Sequence, residues 1–394
     1  ASSFVQGWNG SDSDDQFYVG SDGVTSMSIQ AAVNEADDNN TINVLGGTYA
    51  SFGTSFGGAS GLTIQTVDGA VIDGTTRPGN NRIVDLRANG TTFTGFTITS
   101  DGGGVGIAVP GQNVMASNNT ITNVLTGIQT NTGSGNGTFT GNTITADYGI
   151  SLQSAGNTVT GNTVNAAVEG MGVLAFANSV SGNTFNLGAG AAGLALYGGA
   201  TASQIDTVDN IVSISGGTAL QGAADLAGED GTLNVGAGTY AGGAQLNNAG
   251  LTMTASAGAL INVANGQNGL DVRADDITIS GFEIVGPVVG DWRTVDWNDA
   301  SVSYSIGINI SHSRSGIVIT NNNIHDIRTG INVANNSDAS ITNNRIENTK
   351  GGVLVRPASI TALSGNTEGP LGNEWGVVLN LQNIDDAATA DASR

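Results

Sequence analysis

The chain has 394 residues, 33 acidic against 11 basic, a formal charge of −22 and no cysteine. That excludes disulfide staples and thiol chemistry, and like-charge repulsion makes nucleic acid and anionic membranes poor partners. No apolar run approaches the length of a membrane span, so no membrane insertion is expected.

The N-terminal arm, residues 1–27, carries Phe4, Trp8, Phe17 and Tyr18, and is expected to cover its own module rather than a neighbour. Its start, Ala1-Ser2-Ser3, suits a chain trimmed of an export signal. Asp12, Asp14 and Asp15 are candidate Ca²⁺ ligands by charge alone, since they lack EF-hand spacing and an ordinary acidic turn looks the same. Nothing else in the sequence asks for a cofactor.

An Ala-rich amphipathic helix follows at Ser28-Ile29-Gln30-Ala31-Ala32-Val33, then Thr41-Ile42-Asn43-Val44 and Gly47-Thr48-Tyr49-Ala50. From residue 118 a phrase recurs: Asn118-Asn119-Thr120-Ile121, Gly141-Asn142-Thr143-Ile144, Gly161-Asn162-Thr163-Val164 and Gly182-Asn183-Thr184-Phe185. Its aliphatic or aromatic positions (121, 144, 164, 185) are 23, 20 and 21 apart. A second phrase, Gly127-Ile128, Gly149-Ile150, Gly172-Val173 and Gly193-Leu194, keeps spacings of 22, 23 and 21. Short runs of three to five residues rich in Thr, Val and Ile, separated by Gly, Asn, Asp or Ser, are strand-and-turn chemistry. A period near 22 then means one solenoid coil per repeat, with aliphatics piled into a core and asparagines piled into turns.

On these repeats the chain resembles the right-handed parallel β-helix, or pectate-lyase-like, superfamily, from about Ser28 to about Leu379. The resemblance implies an all-β right-handed parallel β-helix. It is poor for function, because that superfamily holds lyases, hydrolases, esterases, epimerases, phage tailspikes and non-catalytic surface proteins.

The opening recurs 191 residues later as Ala219-Leu220-Gln221-Gly222-Ala223-Ala224, Thr232-Leu233-Asn234-Val235 and Gly238-Thr239-Tyr240-Ala241. Two tandem modules are therefore expected, 28–210 and 211–394, each opening with a short capping α-helix that shields the first coil. Whether they fuse into one rod stays open.

The second module breaks its own pattern at an insertion, residues 286–306, which holds Trp292, Asp296 and Trp297. Loops on a rigid scaffold are where binding concentrates, and Trp beside carboxylates suits sugars. Both histidines and six of the eleven bases fall between residues 291 and 356. Aligning Ile324 with Ile346 places His325 by Glu347, Asp326 by Asn348 and Arg328 by Lys350. The functional reading is a saccharide groove with Trp292 or Trp297 as stacking platform. His325, Asp326, Glu347 and Lys350 are then candidate acid/base groups and Arg328 a carboxylate or sulfate clamp. The structural reading is a salt-bridged outer ladder.

Signatures of the superfamily's catalytic branches are missing: the Gly-Arg-Pro-Trp of pectin esterases, the Asn-Thr-Asp and Arg-Ile-Lys of polygalacturonases, and the Asp-Pro-His of alginate epimerases. The sequence thus points first to a secreted or cell-surface structural or interaction protein, such as a surface layer, adhesin or self-assembling filament. Its expected partners are its own copies or an extracellular polysaccharide. The alternative is a lyase or hydrolase acting on an acidic glycan through the second module.

Overall fold

The computed structural model describes residues 16–20, 28–77, 79–287, 290–295 and 305–379. The chain is a parallel β-solenoid in two units, Ala1–Asn210 and Ile211–Arg394. Its two α-helices among the described residues are α1 (Ile29–Glu35) and α2 (Leu220–Ala227).

Each helix forms where its sequence buries one small-residue face. Ser28 caps α1 by accepting from the Ala31 N–H, and Ile29, Ala32 and Val33 turn inward. Gln30 locks the helix to the first coil, its amide accepting from Gly53 N at 2.9 Å and donating to Gly53 O at 3.0 Å. Gln221 does the same in the second unit, with Gln245 N at 2.7 Å and Gln245 O at 3.0 Å. The arm strand Gln16–Val19 pairs in parallel with Thr41–Val44 and buries Phe17 and Val19, so this part covers its own unit.

In the first unit the coils stack like on like. One inward row runs Ile72, Ile98, Ile121, Ile144, Val164, Phe185, each in register with the next and fully buried. A second runs Val84, Ile107, Ile128, Ile150, Met171, Leu194. This corrects one expected neighbour. Val173 sits not on Ile150 but on Leu152, because the two strands are offset by 21 residues after the register shift past Ala146, which puts Met171 in the row. Both residues are buried, so period counting alone does not distinguish them.

The expected short runs also prove longer where both phrases meet. Thr120–Thr130, Thr143–Leu152, Thr163–Val173, Asn323–Val333 and Arg345–Val355 are continuous strands of ten or eleven residues. In three of them a residue in the left-handed region, Asn123, Asp326 or Asn348, turns the chain while pairing continues. Asn and Asp tolerate that conformation better than most residues.

The buried turns are held by an asparagine ladder. Asn119, Asn142, Asn162 and Asn183 each donate through Nδ2 to the next side chain's Oδ1 at 2.9–3.0 Å, ending on Asn210. The same Oδ1 accepts the preceding backbone N–H, so one amide satisfies two donors of the coil below. Asn322, Asn344 and Asn366 repeat the device in the second unit.

Candidate functional site

The charged coils of the second unit lie on strands Glu283–Val285, Asn323–Val333, Arg345–Val355 and Asn373–Leu379. Their register follows from the buried isoleucines: Ile284 over Ile324 over Ile346. That places His325 beside Glu347 and carries Asp326 onto Asn348, as the sequence spacing requires.

The outward side chains then pair among themselves. His325 Nδ1 lies 2.7 Å from Asp326 Oδ2, and its Nε2 lies 3.2 Å from Glu283 Oε1 on the preceding coil. Asn348 donates to Asp326 from the following coil and also to the Gly290 carbonyl. Burial works against ionisation of Asp326, but hydrogen bonds from His325 and Asn348, together with the imidazole's charge, outweigh it. The carboxyl is therefore held below its ordinary value. Glu347 is bridged by Arg345 of its own strand, and Lys350 is ion-paired with Glu374.

Two expectations need correction here. Trp292 is no exposed platform: it is 0 % exposed, begins a 3-10 turn (Trp292–Thr294), and donates its backbone N–H to Asn348 Oδ1 at 3.0 Å. The turn that it begins lies against the strand Arg345–Val355, and the indole is fully enclosed. Arg328 is no surface clamp either, being 3 % exposed, and Lys350 is likewise buried. A long cationic stem placed between packed strands contributes to packing first. Asp296 and Trp297, and the Ca²⁺ candidates Asp12, Asp14 and Asp15, lie outside the described residues.

Chemically, His325, Asp326 and Glu283 form one cluster across two coils, while Glu347 and Lys350 belong to separate pairs. Among the described residues no three His, Asp or Glu side chains are grouped to hold a metal ion. No helix there is long and apolar enough to cross a membrane.

Sequence reasoning passed over the first unit, where Arg77, Arg82 and Arg87 are the only bases among residues 1–210. They come together with Asp85 and Asp101 in ion pairs. The signal was available, since three cations within eleven residues of an otherwise base-free half are not scattered surface charge.

Comparison with known proteins agrees with the fold. The family model described as "Right handed beta helix region" matches residues 38–219. No curated protein sequence matches the chain. Among solved structures, the catalytic unit of a thermostable GH87 alpha-1,3-glucanase from Streptomyces thermodiastaticus strain HF3-3 is 12% identical, with a TM-score of 0.31. That match covers 88% of this chain and 66% of the glucanase chain, so this chain spans just under two thirds of it. The receptor binding domain of the Siphovirus 9NA tailspike is 10% identical over 94% of this chain and 77% of its own, TM-score 0.36. The surface protein and adhesin PfbA of Streptococcus pneumoniae is 12% identical over 86% of this chain and 91% of its own, TM-score 0.26. Likenesses this distant carry no information on what the chain does.

Proposed function

We propose, for a chain that is a right-handed parallel β-helix protein, a non-catalytic interaction role of the extracellular or cell-surface kind. One observation carries this reading. The described acid/base candidates of the charged coils are engaged by their neighbours: His325 by Glu283 and Asp326, Glu347 by Arg345, and Lys350 by Glu374. A general acid or base has to reach a substrate proton, and a group already held on both sides must first surrender a partner. The charged face therefore acts as a wall that ties successive coils together and presents a polar surface to other molecules. A surface-layer, adhesin or filament subunit fits this reading, and negative-stain microscopy of the full chain distinguishes ordered polymers from single particles.

A second reading, turnover of an acidic glycan, is favoured by the His325 cluster alone, where one imidazole faces two carboxylates and keeps part of its edge at the surface. Incubating the full chain with alginate, pectin and carrageenan separates the two. Unchanged polymers are the expected result. Unsaturated or reducing ends that vanish in His325→Ala overturn the non-catalytic reading.

A further inference from the structure

The first unit contains a cavity of about 480 Å³ beside α1, lined among others by Ser51, Phe52, Phe56, Asn80, Arg82 and Arg87. Its floor is the buried carboxylate of Asp85, the last residue of the strand Arg82–Asp85. The strand Phe52–Gly53 pairs over it, Gly53 against Asp85. A Cβ at Gly53 would stand 3.1 Å from both the Cβ and the carbonyl oxygen of Asp85, so glycine is what lets the two strands close on the carboxylate.

Two arginines share that one anion. Arg82 Nη1 donates to Asp85 Oδ1 at 3.0 Å, and Arg87 donates to Oδ2 through Nε and Nη2, both at 2.8 Å. Asn80 Nδ2 adds a longer contact to Oδ2 at 3.3 Å. The cavity wall thus keeps one net positive charge in a chain whose overall charge is −22. A guanidinium offers five N–H donors in a planar fork, and Asp85 occupies only some of those on each arginine. Beside them Arg87 lies over the ring of Phe56, 5.5 Å from its centroid, and Phe56 is 63 % exposed. The phenyl ring thus offers an open face to solvent beside the Arg87 guanidinium. The Ser51 hydroxyl, also on the lining, is buried and has no hydrogen-bond partner among the described residues.

The second unit supplies an internal control. There Asp271-Val272-Arg273 repeats Asp85-Leu86-Arg87, with Arg273 Nε and Nη2 on Asp271 Oδ2 at 2.8 and 2.7 Å. Gln245 stands opposite Asp271 where Gly53 stands opposite Asp85. That pair is filled by the chain's own groups: Arg273 Nη1 donates to Gln245 Oε1, and Asn309 donates to Asp271 Oδ1. Asn268 occupies the place of Arg82 at the strand start. An Asp-x-Arg pair therefore suffices to close this corner of a coil, and Arg82 and Phe56 are additions to it in the first unit.

We infer that this cavity binds an anionic saccharide, its acid group held by Arg82 and Arg87 and its ring face laid on Phe56. Guanidinium forks match carboxylate and sulfate oxygens, and an exposed aromatic face offers a flat apolar surface to a sugar ring. The site is built from first-unit residues alone and does not depend on whether the charged coils of the second unit turn over substrate.

Calorimetric titration of the full chain with trigalacturonate, a sulfated carrageenan tetrasaccharide, maltotetraose and sodium sulfate tests the inference. At least one anionic oligosaccharide binds, and maltotetraose does not. Binding by the trisaccharide assigns a carboxylate ligand, and binding by the carrageenan fragment a sulfate ester. Arg82→Gln leaves Asp85 paired with Arg87 and weakens binding roughly tenfold, the scale of a lost charge-assisted contact. Phe56→Ala, at a side chain exposed to solvent, weakens it about fivefold, and Arg273→Ala leaves it unchanged. The inference is overturned if neither anionic sugar binds, if Arg82→Gln and Phe56→Ala both bind as the wild type does, or if maltotetraose binds equally. It also fails if sodium sulfate alone binds as tightly as the sugars, since the arginines would then hold an adventitious ion only.

Discussion

The strands Thr120–Thr130, Thr143–Leu152 and Thr163–Val173 of the first unit, and Asn323–Val333 and Arg345–Val355 of the second, share one design inside and differ outside. Inward, isoleucine or valine lies on its like, and an asparagine ladder closes the turn before each strand. Outward, one position past the shared inward residue, the first set carries Thr122, Thr145 and Asn165, and the second His325 and Glu347. The interior and the turns thus fix who neighbours whom, and the outer row decides only what those neighbours do to each other. Neutral side chains leave a polar wall, whereas charged ones pair, His325 with Glu283 across coils and Glu347 with Arg345 along its own strand.

The largest expected effect concerns the insertion that only the charged coils carry. Trp292→Ala empties a fully buried site and destabilises the second unit by roughly 3–5 kcal/mol. Urea unfolding followed by circular dichroism measures it, and a change under 1 kcal/mol places the indole outside the core.

Next comes the ladder that both sets share. Asn162→Ala strips an acceptor from the Asn142 backbone and side chain at once, and costs roughly 2–4 kcal/mol. Asn344→Ala is expected to cost a similar amount, because Asn322 depends on it in the same way. Hydrogen exchange localises each loss, and a difference between the two beyond twofold breaks the equivalence of the ladders.

A smaller effect separates the outer rows. His325→Ala removes partly exposed pairs and changes stability by no more than about 1 kcal/mol. Its pH signature is informative, because Asp326 is held below the ordinary carboxylate range. The unfolded chain binds that proton first, so the stabilisation is present above the unfolded value and is lost as pH falls through the folded one. Carboxyl NMR titration should show Asp326 moving upward in His325→Ala, and an unmoved value contradicts the pairing.

The smallest prediction has its counterpart in the first unit. Tyr197 donates its hydroxyl to the buried Glu169, and that bond, then burial and the glutamate's charge, raise its pKa to about 12. The neutral phenol is the folded form's preference, so its contribution holds below the unfolded value and fades as pH rises through the folded one. Ultraviolet titration detects Tyr197 among the late tyrosines, beside Tyr240, which burial also raises, and the Tyr197 component alone returns toward the ordinary range in Glu169→Gln.

Much of this was legible in the sequence because spacing and residue type agreed. Ile324 and Ile346 lie 22 apart in a chain whose period is near 22, which alone sets His325 beside Glu347. Met171 was hidden because Gly170-Met171 and Gly172-Val173 both fit the second phrase, 21 and 23 residues after Ile150, and both spacings suit the period. Trp292 misled for another reason: an insertion rich in Trp and charge looks exposed, yet burial of a single indole is decided by tertiary packing. The arginine cavity went unseen because its coil lacks the repeating phrase, and only the clustering of scarce bases marked it.

The cross-coil register sets which outer side chains meet, and the cysteine-free chain allows it to be read directly. In-register residues on neighbouring parallel strands lie about 4.8 Å apart, within reach of a disulfide. His325→Cys with Glu347→Cys should cross-link under mild oxidation, whereas His325→Cys with Ile346→Cys, whose second residue faces the core, should not. Cross-linking of the slipped pair, or of neither, contradicts the neighbours on which the paired wall depends.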